Sequence, residues 1–210
     1  MTADTKICYQ GEIDNYYLDS DNIYKRCHQN CLRCNNGLNQ NCKSCKANYY
    51  ITEDTKACFQ GQINNYYLDS TNIYKKCHSN CIKCTNGLNK NCISCKANYY
   101  ITEDTKACYQ GEIDNYYLDN NIYKKCHQNC LKCNNGLNQN CKSCKANYYM
   151  TEDIKACYQG RIDNYYLDSA NIYKKCHQNC LRCNNGLNQN CISCTSNFYI
   201  TEDTKACYQG

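Results

Sequence analysis

The residues of this chain that can do chemistry are its thiols. Cys27-His28-Gln29-Asn30-Cys31-Leu32-Arg33-Cys34 is followed by Cys42-Lys43-Ser44-Cys45 and then by Cys58. The resulting C-x3-C-x2-C-x7-C-x2-C-x12-C pattern recurs over residues 77–108, 126–157 and 176–207. Six thiols so spaced can oxidise to three bridges or hold a metal as thiolates. Paired C-x2-C elements such as Cys31/Cys34 and Cys42/Cys45, with His28 as a further donor, are common tetrahedral zinc sites. The seven-residue gap is short for most zinc modules, and Cys27 and Cys58 find no place in a four-ligand site. Disulfides are therefore the first expectation and zinc the alternative, with no other cofactor expected. Spacing does not choose among the 15 pairings that six cysteines allow.

The other candidate groups carry less. His28, His78, His127 and His177 each follow the first Cys of a unit, where a surface or hydrogen-bonded side chain is expected before a ligand. Asp19-Ser20-Asp21-Asn22 has a faint look of a calcium loop but lacks its glycine and distal glutamate. The counterparts Asp69-Ser70-Thr71-Asn72 and Asp168-Ser169-Ala170-Asn171 also lose the middle acid. Thioredoxin-type chemistry needs one exposed thiol pair of low pKa. Eight C-x2-C pairs embedded in a repeat do not supply it, and no enzyme is expected.

Those thiols must be positioned by a chain with little ordinary core. It has 25 Cys and 23 Tyr in 210 residues, against two Phe, two Met, no Trp and no Pro. That composition buries too little apolar surface to offset chain entropy without covalent or metal staples. The net charge of +5 is spread over 24 basic and 19 acidic residues with no run of one sign, so no basic nucleic-acid face is legible. No stretch approaches the roughly 18 apolar residues of a membrane span.

Aligned with itself, the chain repeats from positions 1, 51, 101, 150 and 200. Met1-Thr2-Ala3-Asp4-Thr5-Lys6 is in phase with Ile51-Thr52-Glu53-Asp54-Thr55-Lys56, and the last residues repeat the Cys-Tyr-Gln-Gly of Cys8 to Gly11. This phase predicts a window of a longer array. Residues 1–26 read as the end of a preceding repeat plus a linker hairpin. Residues 27–76, 77–125 and 126–175 are full repeats, and 176–210 is one that stops just after its last Cys. Four six-Cys units use 24 thiols and leave Cys8, the counterpart of Cys58, unpaired in this segment.

Within a repeat, Ile13-Asp14-Asn15-Tyr16-Tyr17-Leu18, a turn at Asp19-Ser20-Asp21-Asn22 and Ile23-Tyr24-Lys25 give a hairpin signal. The third repeat drops one residue at this turn, as an exposed tip tolerates. Asn48-Tyr49-Tyr50-Ile51, a polar turn and Thr55-Lys56-Ala57-Cys58 give a second hairpin. Between them lie close-set cysteines and the turn Asn35-Asn36-Gly37. Adjacent tyrosines on a strand point to opposite faces, so one ring of each pair can cover a bridge. Tyr16, Tyr17, Tyr49, Tyr50, Tyr66, Tyr67, Tyr99 and Tyr100 are the expected packing aromatics. The fold class expected is small, disulfide-rich, and built of short β-hairpins and loops in a tandem rod.

Cys27-His28 opening C-x3-C-x2-C-x7-C-x2-C, then Tyr49-Tyr50-Ile51 and Cys58, resembles the furin-like cysteine-rich repeat of growth-factor receptors. Similar repeats build large surface proteins of ciliates and other protists, and the Asn-rich, Lys-rich, Pro-free composition resembles the protist branch. The extra Tyr66-Tyr67 hairpin between Cys58 and Cys77 departs from the compact receptor module. The resemblance implies a 1–3, 2–4, 5–6 pairing. In the first unit that is Cys27 with Cys34, Cys31 with Cys42 and Cys45 with Cys58. In the second it is Cys77 with Cys84, Cys81 with Cys92 and Cys95 with Cys108. In the third it is Cys126 with Cys133, Cys130 with Cys141 and Cys144 with Cys157. In the fourth it is Cys176 with Cys183, Cys180 with Cys191 and Cys194 with Cys207.

Near-identical repeats present one surface several times, which suits assembly or multivalent adhesion better than selective recognition of one ligand. The expected function is that of an extracellular or cell-surface structural protein forming a fibre, coat or ciliary-surface filament. Its partners would be neighbouring repeats and other copies of the chain, without nucleic acid. The alternatives are a surface antigen, adhesin or receptor ectodomain, and an intracellular zinc-binding array. The sequence has no Asn-x-Ser/Thr acceptor, so N-glycans are not expected.

Overall fold

The computed structural model describes residues 8–210; Met1 to Ile7 lie outside the described residues. The fold is a small disulfide-rich β fold of short strands and four 3₁₀ turns, with no α-helix among the described residues. It forms two compact units, one running to Gln110 and the other starting at Gly111.

In the first unit, β1 (Tyr16–Leu18) and β2 (Tyr24–Arg26) form the linker hairpin, and β3 (Cys31–Cys34) and β4 (Cys42–Cys45) a cysteine hairpin. The terminal hairpin is β5 (Tyr50–Thr52) with β6 (Cys58–Phe59). The next repeat opens with β7 (Tyr66–Leu68) and β8 (Ile73–Lys76). The second unit repeats this order from Tyr116–Asp119 to Cys207–Gln209. The two hairpins expected on either side of the cysteines are present; the cysteine hairpin between them is an addition. Four closely set cysteines carry no period-2 alternation of apolar and polar residues, so that strand pair left no pattern to read.

Turn chemistry accounts for part of the chain's Asn content. Thirteen Asn and four Lys are the described non-glycine residues with positive φ. Asn tolerates this left-handed region better than other side chains because its amide can bond locally. Each Asn-Tyr-Tyr motif begins on such a residue: Asn15 has φ 69° and Asn48 has φ 65°. The Asn15 N–H donates to the Leu32 carbonyl at 2.6 Å, and its own carbonyl accepts from Cys27 N–H at 2.8 Å. That one residue thus ties the linker hairpin to the cysteine hairpin.

At the linker tip, the Asp19 N–H bonds the Ile23 carbonyl at 3.0 Å and Asn22 sits at φ 59°. This is a three-residue loop closed by a left-handed residue. The third repeat, one residue shorter, closes with Asn120 at φ 47° and Asn121 at φ 65°. Both central residues are then left-handed, the requirement of a two-residue type I′ turn, so the deletion exchanges one allowed turn for another.

The acidic loop serves the turn. Asp69 Oδ1 accepts from the N–H groups of Thr71 at 2.9 Å and Ile73 at 3.0 Å, and Oδ2 lies 3.0 Å from Lys75 Nζ. The Ile73 amide, then the Thr71 hydroxyl, then Lys75 hold the Asp69 carboxyl well below its ordinary value of 3.8. A carboxylate whose folded pKa is depressed stabilises fully above its unfolded value and loses that contribution as pH falls toward the folded one. The tip should therefore be intact above about pH 5 and loosen steadily in more acid solution. Amide shifts of Thr71 and Ile73 followed by NMR against pH check this, and Asp69→Ala should abolish the dependence at those two amides.

Candidate functional site

Each repeat is organised on a buried sulfur cluster. In the first, Cys31, Cys34, Cys42 and Cys58 are the buried members, with Tyr17, Cys27, Cys45, Tyr49 and Ile51 packed around them. The same cluster recurs around Cys81, Cys130 and Cys180. The bridges are Cys27–Cys34, Cys31–Cys42 and Cys45–Cys58. The second repeat has Cys77–Cys84, Cys81–Cys92 and Cys95–Cys108, and the third Cys126–Cys133, Cys130–Cys141 and Cys144–Cys157. The fourth has Cys176–Cys183, Cys180–Cys191 and Cys194–Cys207. These are the pairs that the furin-like resemblance implies. Cys8 is free and exposed.

The strand register alone would suggest other partners. Cys31 lies opposite Cys45 and Cys34 opposite Cys42, with irregularities on both sides of the Arg33/Ser44 pair. The bridges instead run outward to Cys27 and Cys58 and diagonally from Cys31 to Cys42. One consequence is a sulfur triad: the Sγ atoms of Cys31, Cys42 and Cys58 lie within 4.8 Å of one another. They belong to two different disulfides, so in this oxidised form they are not thiolates. His28 does not join them; its Nδ1 accepts from the Asn30 N–H at 3.3 Å and steadies the turn between Cys27 and Cys31.

The terminal hairpin is held on the cluster by amide side chains. Asn39 Oδ1 accepts from Cys58 N–H at 3.1 Å, and Asn30 Nδ2 donates to the Cys58 carbonyl at 3.0 Å. Cys58 is fully buried, so these two side chains satisfy backbone groups that would otherwise be stranded. Asn89, Asn138 and Asn188 repeat the first contact, and Asn80, Asn129 and Asn179 the second. Asn39→Ala leaves a buried N–H unpaired and should cost about 1–3 kcal/mol, with its effect confined to the first repeat. Hydrogen exchange at Cys58, compared with Cys108, reads it.

The hairpin's tip closes on itself. Thr52 is 0% exposed and its Oγ1 accepts from Ala57 N–H at 2.9 Å and lies 2.7 Å from Thr55 Oγ1. Ala57 beneath it is also buried.

The eight expected packing aromatics divide by face. Tyr17, Tyr49, Tyr67 and Tyr99 lie against the sulfur clusters. Their neighbours do other things: the Arg26 guanidinium stands 5.9 Å from the Tyr16 ring centroid, and Tyr66 Oη donates to Asp54 Oδ2 at 2.9 Å. Tyr50 meets Tyr74 edge to face at 6.2 Å, and Tyr100 is half-buried.

The buried tyrosines are a set that the sequence reading missed: Tyr24, Tyr74, Tyr123 and Tyr173. Each hydroxyl donates to a glycine carbonyl, of Gly11, Gly61, Gly111 and Gly160 respectively. Those glycines have φ between 71° and 84°, where a side chain would be strained. A signal existed in the identical phase of Ile-Tyr-Lys in every repeat, but a single Tyr between Ile and a basic residue does not announce which face is inward.

Inside the first unit, consecutive repeats share a sheet. The order β6-β5-β8-β7 places Ile51 opposite Ile73 and Thr52 opposite Tyr74 in a parallel pair. Glu53 N–H donates to the Tyr74 carbonyl at 2.9 Å, and Asp54 accepts from Tyr66 and lies 3.0 Å from Lys76 Nζ. The second unit repeats the arrangement, with Met150 opposite Ile172 and Thr151 opposite Tyr173. There, burial and the Asp153 carboxylate push Tyr165 up to about 12.

Open tyrosine-lined grooves accompany the linker hairpins. That at Tyr16, Tyr17 and Tyr24 has a volume of about 370 Å³, and that at Tyr66, Tyr67 and Tyr74 about 430 Å³. Their rims alternate. Glu12 lies 2.8 Å from Lys43 and Glu112 3.4 Å from Lys142. Repeats two and four carry Gln62 with Ile93 and Arg161 with Ile192, and both isoleucines are about half exposed.

No described helix is long and apolar enough to cross a membrane. Tandem units with twelve disulfides fit an oxidising, extracellular setting. No protein-family model matches the chain, and no curated protein matches it.

Proposed function

We propose that this chain belongs to an extracellular structural array of furin-like cysteine-rich repeats, a fibre, coat or cell-surface or ciliary filament of the kind found in ciliates and other protists. It has no catalytic step and needs no cofactor. The observation that carries this reading is the shared sheet: each repeat has its own bridges, and within each of the two units the terminal hairpin of one repeat is completed by the linker hairpin of the next. Such units gain stability from being joined and present one frame at regular intervals. Electron microscopy of native material should reveal regular filaments or a lattice. Isolated flexible tethers would contradict the reading and favour an adhesin, for which the half-exposed Ile192, lining the groove at Tyr165, Tyr166 and Tyr173, and its half-exposed counterpart Ile93 offer a repeated contact.

A further inference from the structure

The tyrosine-lined grooves share a frame but differ in the charge of their walls. At Tyr16 and Tyr17 the wall supplies its own carboxylate: Glu12 lies 2.8 Å from Lys43 and 3.7 Å from Arg33, and Arg33 also holds Asp14 at 3.0 Å. Two acids meet two bases there. Glu112 repeats the arrangement, 3.4 Å from Lys142 and 3.5 Å from Lys132. At Tyr165 and Tyr166 the same positions carry Arg161 in place of the glutamate and Ile192 in place of the lysine, and both line the groove. Arg182, the counterpart of Arg33, holds Asp163 at 3.2 Å. Arg161 has no acidic partner among the described residues. Two guanidiniums thus face one carboxylate, and the groove is one acid short of its counterparts.

We infer that the groove at Tyr165 and Tyr166 binds a small aromatic carboxylate, whose charged end takes the place that the Glu12 side chain fills at Tyr16 and Tyr17. The template for the head group is therefore inside the same chain. A guanidinium presents its N–H donors in a planar fork that matches a carboxylate, and Arg161 and Arg182 both stand on the lining. The rest of the groove suits an apolar body. It has a volume of about 370 Å³, within the range of small-molecule sites, and Tyr149, Tyr165, Tyr166 and Tyr173 line it with the half-exposed Ile192. Exchange of lysine for Ile192 removes the base that would hold a glutamate of the wall and adds apolar surface for a ligand to cover. Tyrosine rings offer a ligand ring edge-to-face and offset contacts, which favours an aromatic over an aliphatic acid. The groove at Tyr66 and Tyr67 has Gln62 on its wall and no charged side chain in its lining, so it lacks the head-group contact.

Phenylacetate, titrated into the oxidised chain and followed by amide shifts in NMR, tests the site. Shifts should gather at residues 161–166, 182–184 and Ile192, with their counterparts at 12–17, 33–35 and Lys43 unmoved. Phenylacetamide, of the same shape without the charge, should bind about tenfold more weakly. Arg161→Glu and Arg161→Gln install residues that this position already carries at Glu12 and Gln62, so the frame tolerates both. Each should weaken phenylacetate about tenfold or more, the glutamate more than the glutamine. Arg161→Glu combined with Ile192→Lys rebuilds the pair of Glu12 with Lys43 and should abolish the shifts. Absence of shifts with phenylacetate, equal shifts in the groove at Tyr16 and Tyr17, equal binding of phenylacetamide, or unchanged affinity in both Arg161 variants overturns the proposal.

Discussion

Replacing Cys95 and Cys108 together by Ala should destabilise the second repeat by about 3–5 kcal/mol. The bridge spans 13 residues, and closing a loop of that size removes about 3 kcal/mol of chain entropy from the unfolded state. Cys108 is also fully buried among Cys81, Cys84 and Cys92, so its sulfur leaves a void. The hairpin Tyr100–Thr102 with Cys108–Tyr109 would then lose its covalent tie and keep only non-covalent ones, such as those of Asn80 and Asn89 and the bond from Cys92 N–H to the Lys106 carbonyl. Thr102 and Ala107 amides should lose their slow hydrogen exchange, and a loss below about 1 kcal/mol would contradict the central place given to the sulfur cluster. The single variant Cys95→Ala should behave worse than the pair. It leaves a Cys108 thiol within 4.8 Å of the Cys81 and Cys92 sulfurs, placed to attack their bridge. Mixed disulfide isomers on a non-reducing gel are the expected sign.

Tyr74→Ala should cost about as much, roughly 3–5 kcal/mol, by a different route. Tyr74 is 3% exposed, meets Tyr50 at 6.2 Å with its ring at 79°, and donates its hydroxyl to Gly61. It stands where the terminal hairpin of one repeat meets the linker of the next, opposite Thr52. In a linear array, stability is the sum of unit terms and neighbour terms, and this substitution strikes the neighbour term. Denaturant unfolding of the first unit should then separate into two transitions. Tyr74→Phe keeps the ring, leaves the Gly61 carbonyl without its donor, and should cost about 1–2 kcal/mol with cooperativity retained. One unbroken transition in Tyr74→Ala would show that the repeats are not coupled there.

What could be read from the sequence follows from how local each signal is. The two Asn-Tyr-Tyr hairpins were legible because their turns depend on neighbouring residues: a left-handed Asn, an acidic cap and a short β-prone run. The hairpin Cys31–Cys34 with Cys42–Cys45 was not, because its strands carry bridges where alternation would normally show. The buried Tyr74 was overlooked for the conspicuous Tyr66-Tyr67, since burial there is set by a strand from the preceding repeat, a contact that spacing does not encode. Asn39 was hidden by abundance. Asn15, Asn22 and Asn48 serve left-handed backbone, and nothing in the string separates such residues from one whose amide completes a buried strand.

The most direct test of the account is the covalent framework itself. The chain should be purified without reductant, weighed intact, and digested for mapping of linked peptides. Twelve bridges remove two hydrogens each, so the oxidised chain should weigh 24 Da less than the reduced one, with Cys8 as its one free thiol. The linked peptides should be those of Cys27–Cys34, Cys31–Cys42 and Cys45–Cys58 and their counterparts. Free thiols carrying bound zinc, or linkage of the register-opposed Cys31 with Cys45 and Cys34 with Cys42, would contradict it.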